Sequence, residues 1–204
     1  MSDAATEDSV DGRSLRHQHR RGELLDAVLD YVLDHGVGEM SLRPLASAVG
    51  VSHVTLRHHF GTREELIAEI LEVARARQQP LRLPQDSADM RQILRSIWSD
   101  WTEPQRLRHF RLTFEAYGQA LMHPERYGRL LEHIVADWLV LIGLQVAALG
   151  CPPDDAPAFA SLVLAQLRGL MLDLLTTGDQ ARVERALDIM IEVYARQVES
   201  WRVA

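Results

Sequence analysis

Lysine is missing from this chain. All 22 of its basic residues are arginine, the usage expected of GC-rich coding. Cysteine is nearly missing too: the single Cys151 excludes an internal disulfide framework and fits a reducing cytoplasm. No run of eighteen or more apolar residues occurs, so no transmembrane helix is expected. The opening residues MSDAATEDSVDG lack the basic-then-apolar order of a secretory signal. P-loop, dinucleotide-binding glycine pattern and nucleophile elbow are all absent. His58 and His59 are adjacent, so they leave a helix on different sides and cannot form the i, i+4 pair of a metal-binding helix. No catalytic residue, metal or cofactor is therefore expected. A positive balance is lacking as well. The formal charge is −7, with 9 Arg against 13 Asp and Glu in residues 1–80 and 13 Arg against 16 in residues 81–204. Net charge thus gives no argument for a nucleic-acid partner.

What is present begins with one local exception to that acidity. Residues 41–63, SLRPLASAVGVSHVTLRHHFGTR, contain three arginines and no Asp or Glu. The stretch reads as two short helices joined by a tight turn. Leu42, Leu45, Ala46 and Val49 give the first an apolar face at 3–4 residue spacing. Gly50 supplies the left-handed conformation of a C-terminal cap. Ser52 is placed to cap the second helix, which carries His53, Thr55, Arg57 and His58 outward and has Leu56 and Phe60 as anchors. A short, acid-free polar helix pinned to a small core is what a helix-turn-helix presents to a major groove.

At these residues the chain resembles the TetR family of bacterial repressors. The resemblance rests on Ala46, Ala48, Gly50-Val51-Ser52, Leu56-Arg57-His58-His59-Phe60 and Arg63-Glu64-Glu65-Leu66, and covers roughly residues 20–70. Arg57 stands where the family usually has Tyr, and Arg63 where it has Lys. Both usual residues bind phosphate, a role arginine also fills, often with two hydrogen bonds. The resemblance implies that Arg43 reaches DNA from the supporting helix, that His53, Val54, Thr55 and His58 occupy contact positions of the recognition helix, and that Arg57 and Arg63 meet phosphate. His59 is implied to be structural.

Before this motif, residues 1–17 read as a mobile leader. It ends in a basic cluster, Arg13, Arg16, His17, His19, Arg20 and Arg21, which is either a DNA-touching arm or a solvated tail. The first helix is expected from about Gln18 to His35, burying Leu25, Val28, Leu29 and Val32. After the motif, Thr62 and Glu65 form a capping box for a fourth helix to about Gln79, with Leu66, Ile70 and Val73 on one face. That helix joins head to body and is the natural lever for a signal. Pro80 and Pro84 mark the boundary between an 18–79 DNA-binding domain and an 80–204 effector-binding and dimerisation domain. Five further helices are expected at about 86–103, 105–122, 124–149, 155–177 and 180–202.

Within the body, Trp98, Trp101, Phe110, Phe114, Tyr117 and Trp138 either fill the core or line a cavity for an apolar or aromatic effector. The resemblance implies a pocket in this region. On the last two helices, Phe159, Leu162, Val163, Leu167, Leu170, Leu174, Leu187, Met190 and Tyr194 form more apolar surface than one helix pair covers, with Gly169 among them. A symmetric four-helix interface between two subunits would bury it.

The expected fold is all-α. A three-helix helix-turn-helix head is joined by a fourth helix to a helical ligand-binding and dimerisation bundle. The expected function is a ligand-responsive repressor, a cytoplasmic homodimer on a palindromic double-stranded DNA operator, with no membrane partner. The alternative is a helical small-molecule-binding protein or enzyme that has lost DNA binding, a reading kept open by Arg57.

Overall fold

A computed structural model describes residues 4–38, 40–78 and 89–202, and every regular element among them is an α-helix. The chain divides into two compact units, Met1–Ala74 and Arg75–Ala204. The expected break at Pro80 and Pro84 lies outside the described residues.

The first unit holds α1 (Ala4–His35), α2 (Leu42–Ala48), α3 (His53–Phe60) and most of α4 (Arg63–Gln78). Helix α1 starts at Ala4, not near Gln18 as expected. Residues 4–17 contain no proline, so no helix breaker of that kind stands between them and the rest of α1, and propagation is cheap compared with nucleation. The buried stripe of α1 is Leu24, Val28, Leu29 and Val32, at helical spacing, with Leu25 half-exposed beside it. Gly36 ends the helix at φ 75°, its N–H reaching the Val32 carbonyl at 2.8 Å. Leu45 and Ala46 from α2, Leu56 and Phe60 from α3, and Leu66, Ile67, Ile70 and Leu71 from α4 complete this small core. Each helix contributes only one to four large apolar side chains, so the unit depends heavily on its caps and polar ties.

The second unit holds α5 (Met90–Trp101), α6 (Pro104–Met122), α7 (Gly128–Ala148), α8 (Ala156–Thr177) and α9 (Gln180–Trp201). These match the expected segments to within a few residues at each end. Asp89 caps α5 and Asp179 caps α9, each accepting a backbone N–H of the first turn at 2.9 and 3.1 Å. Pro104 stands at the start of α6, where its missing N–H costs nothing. Met90, Ile93, Leu94, Ile97, Trp98 and Trp101 form one face of α5 and join Leu187, Ile191, Tyr194 and Val198 of α9 in the core. At the rim of this contact Arg91 grips Glu192 through two 3.0 Å hydrogen bonds and Glu199 through a third. Cys151 is buried in the α7–α8 connection, where burial, then the Asp155 charge, push its thiol pKa up, away from thiolate reactivity.

Candidate DNA-binding surface

Helix α3 is eight residues long and would not persist alone. Leu56 and Phe60, four residues apart, anchor it in the core at 0% and 5% exposure. Ser52 caps its start, its hydroxyl accepting the Thr55 N–H at 3.0 Å. Ahead of it, Gly50 takes φ 72° and the Val51 N–H returns to the Ala46 carbonyl at 2.9 Å, which closes the tight turn from α2. With one face fixed, Val54, Arg57 and His58 face solvent, and His53 is half-exposed beside them. Val54 is 75% exposed, which the core does not require of a valine but which suits contact with a thymine methyl. No acid lies in the first turn, and Arg57, His58 and His59 lie in the last. Arg43 is exposed on α2. Thr55 is committed locally: its hydroxyl lies 2.8 Å from that of Ser52, within the cap.

Arg63, expected to meet phosphate, and Arg21, expected in either a DNA-touching arm or a solvated tail, are both drawn inward. Arg63 donates from Nε to the Met40 carbonyl at 2.5 Å and from Nη2 to the carbonyls of Val37 and Gly38, each at 2.8 Å. That leaves Nη1, which itself lies 3.7 Å from Glu64, for the expected phosphate contact. The guanidinium thus ties carbonyls of the α1–α2 connection to the start of α4, one of them, that of Val37, also accepting the Met40 N–H at 3.4 Å. Arg21, grouped with the basic leader, forms a fork on Glu69 of α4 at 2.7 and 2.8 Å. Its Nε reaches the His59 carbonyl at 3.4 Å, and its guanidinium lies over the Phe60 ring, 4.8 Å from the centroid. These partners are 38 and 48 residues away, so no local pattern points to the tie.

The recognition helix ends at Gly61 (φ 73°, ψ −127°). Next comes the expected capping box: the Thr62 N–H donates to Glu65 Oε2 at 2.7 Å and the Glu65 N–H donates to Thr62 Oγ1 at 3.2 Å. The Thr62 amide, and next its hydroxyl, hold the Glu65 carboxyl below its ordinary pKa. A Cβ on Gly61 would fall 2.1 Å from that carboxylate, in a backbone region L-residues rarely adopt. Gly61→Ala is expected to destabilise the first unit by about 1–3 kcal/mol. Amide exchange at Thr62 and Leu66 should accelerate with it, and unchanged exchange would show the turn to be tolerant.

In the second unit, the residues expected to line an effector pocket are largely core. Trp98, Trp101, Phe110 and Trp138 are buried, with Trp101 packed on Phe110 at 4.6 Å and edge-on to Trp138 at 5.3 Å between centroids. Rings packed this closely serve one another first. Phe114 and Tyr117 are only partly buried.

The residues expected at a dimer interface also separate. Phe159, Val163, Leu167, Leu187, Met190 and Tyr194 sit in the core of the second unit itself. Both flanks of α8 are apolar, so periodicity alone could not tell inner from outer. The exposed flank is Leu162, Ile189 and Val193, which the expectation mostly missed, with Leu170 and Leu174 half-exposed. Between α8 and α9 runs an open groove of about 500 Å3 lined by Gly169, Leu170, Ala186, Ile189, Met190 and Val193 among others. No atom lies within 4 Å of a Cβ placed on Gly169, so no neighbour in this chain makes the close approach expected there.

Residues 24–70 match the family model for bacterial regulatory proteins of the tetR family. Over 179 residues the chain is 28% identical to the HTH-type transcriptional repressor AcnR of Corynebacterium diphtheriae, covering 85% of this chain and 90% of that one. A transcriptional regulator from Rhodococcus sp. Rha1 shares the fold, with a TM-score of 0.72 at 23% identity over 85% of this chain and 94% of that one. The multidrug binding protein EbrR, complexed with proflavin, superposes with a TM-score of 0.60 at 25% identity over 85% of this chain and 98% of its own.

Proposed function

Because the chain belongs to the tetR family of bacterial regulatory proteins, we propose that it is a cytoplasmic, ligand-responsive repressor that binds a roughly palindromic operator as a homodimer. One observation carries the DNA reading. The outward face of α3 offers His53, Val54, Arg57 and His58 with no carboxylate, while Leu56 and Phe60 fix its orientation. A covered row would have favoured a protein that has lost DNA binding.

His53, Val54 and His58 read base edges, with Thr55 beside them at the cap, and Arg57 and Arg43 engage phosphate. Arg63 contributes to phosphate only through Nη1 and acts mainly as a brace. These assignments separate by salt. Arg57→Ala should weaken operator and random DNA alike and flatten the salt slope by about one unit. His53→Ala should cost roughly 1–3 kcal/mol at the contacted base and leave the slope alone. The operator itself comes from selection on a random DNA pool. Mutants that keep wild-type affinity and selectivity would remove the assignment.

The dimer reading is supported by the exposed apolar flank of α8 and α9. Helix α8 is long and apolar enough to cross a membrane by length and composition, and only 33% of that window is buried within the subunit. Arg168 at its middle argues that the surplus serves helix packing. A second copy laid isologously along the groove would cover it. Ligand response is supported by the body's similarity to EbrR, which holds proflavin. Helix α4 is unbroken from Arg63 to Gln78, and its Arg75 pairs with Asp137 of α7. A ligand with different affinity for two settings of the body would act through that helix.

A further inference from the structure

Arg168 projects from the middle of α8 toward α6 and α7. Its Nη1 donates to the Tyr117 hydroxyl, its Nη2 donates to the Ile134 carbonyl at 2.7 Å, and its guanidinium carbon lies 5.4 Å from the Tyr117 ring centre. Both hydrogen-bond partners are neutral. Among the described residues no carboxylate pairs with it, although the other well-held arginines of this unit, Arg75, Arg91 and Arg182, each have one. Of five guanidinium N–H groups, two are used. Burial lowers its pKa, and Tyr117 only partly opposes that. A charge taken out of water without a counter-ion is costly, and folded chains rarely keep one without a use.

The stretches of α6 and α7 that Arg168 meets carry aromatic residues within one turn of its partners. Phe114 stands one turn before Tyr117 on α6, partly buried, its ring centre 6.4 Å from that of Phe110. Trp138 stands one turn after Ile134 on α7. A cation beside the Tyr117 ring, with donors to spare, suits an amphipathic anion whose head meets the guanidinium and whose tail lies along the neighbouring apolar side chains of α6. Arginine matches a carboxylate in plane and spacing. One guanidinium balances one negative charge, so a monoanion fits better than a phosphate dianion.

We propose that Arg168 is the anchor of the effector site and that the effector is an amphipathic monocarboxylate, its head held by Arg168 and Tyr117 and its apolar part against Phe114. This rests on the ligand-responsive reading above and supplies its chemical class. The Tyr117 hydroxyl positions the guanidinium and remains in the ligand's reach.

Tryptophan fluorescence of the full-length protein without DNA tests it, with dodecanoate, methyl dodecanoate and dodecyl phosphate as probes. Dodecanoate should bind about tenfold or more tighter than its ester and tighter than the phosphate. Arg168→Met should abolish the preference for acid over ester, and Arg168→Lys should restore part of it. Equal binding of acid and ester by the wild type overturns the proposal without need of any variant. So does a preference that survives in Arg168→Met, tighter binding of dodecyl phosphate, or no binding by any of the three. Operator binding by the free protein is measured separately. Loss of the carboxylate site leaves the repressor reading standing, and loss of operator binding leaves the carboxylate site standing.

Discussion

Ile189→Glu should turn the protein into a folded monomer that no longer holds its operator. Ile189 is 69% exposed and Val193 59%, both lining the α8–α9 groove, and Leu162 on α8 is 54% exposed. An apolar strip of this kind is unusual on a surface that faces only water. In an isologous pair each substitution appears twice near the two-fold axis, so two carboxylates enter a dry interface together. At about 3 kcal/mol per buried charge, each would weaken dimerisation roughly a hundredfold. Sedimentation velocity at micromolar concentration should show a dimer for the wild type and a monomer for the variant, with helix content unchanged in both. Val193→Glu should behave alike. Leu167→Glu should not, because Leu167 is 0% exposed inside the subunit and the charge would unfold the body itself. A monomeric wild type, or an Ile189→Glu dimer, would remove the interface.

These contrasts mark where a linear reading of the chain stops. The turn at Gly50, the Ser52 cap and the Thr62–Glu65 box were legible because each is a signal a few residues long whose partners lie within the same few residues. The anchors Leu56 and Phe60 followed from helical spacing. The ties of Arg63 and Arg21 were not legible, for the opposite reason. An arginine in an acid-free basic stretch looks available to phosphate until its carbonyl and carboxylate partners, 23 to 48 residues away, are known. Helix α8 raised a different difficulty. Its apolar residues cover two faces, and a 3.6-residue period identifies a stripe without saying which stripe faces in. The aromatic group was correctly seen as a cluster, but rings that pack on one another and rings that line a cavity have the same sequence. Arg168 drew no notice, since a lone arginine in an apolar helix is defined by the counter-ion it lacks, which only tertiary structure reveals.

Arg21→Met should lower operator affinity through the shape of the first unit and not through lost contact with DNA. The guanidinium holds three things together: the Glu69 carboxylate, the His59 carbonyl at the end of the recognition helix, and the Phe60 ring. Methionine keeps much of the apolar stem and removes the fork. Glu69 is then left part-buried without its cation, and the last turn of α3 loses a carbonyl partner. With side-chain exposures of 37% and 30% the pair is partly screened, so the expected loss of stability is about 1–2 kcal/mol. Because α3 is anchored by only two side chains, that loss should appear as fraying near His59 and as weaker binding to every operator variant. A phosphate contact would behave differently. Its removal would flatten the dependence of affinity on salt by about one unit, whereas a positioning role leaves the slope close to wild type. The double variant Arg21→Met/Glu69→Met separates the two further. If Arg21 positions the helix, removing the stranded carboxylate should recover part of both stability and affinity, a coupling the double-mutant cycle reads directly. If Arg21 touches DNA, Glu69→Met alone should strengthen binding by freeing the cation, and the double variant should gain nothing over Arg21→Met. A flattened salt slope in Arg21→Met together with no coupling to Glu69 would return Arg21 to the DNA-contacting arm.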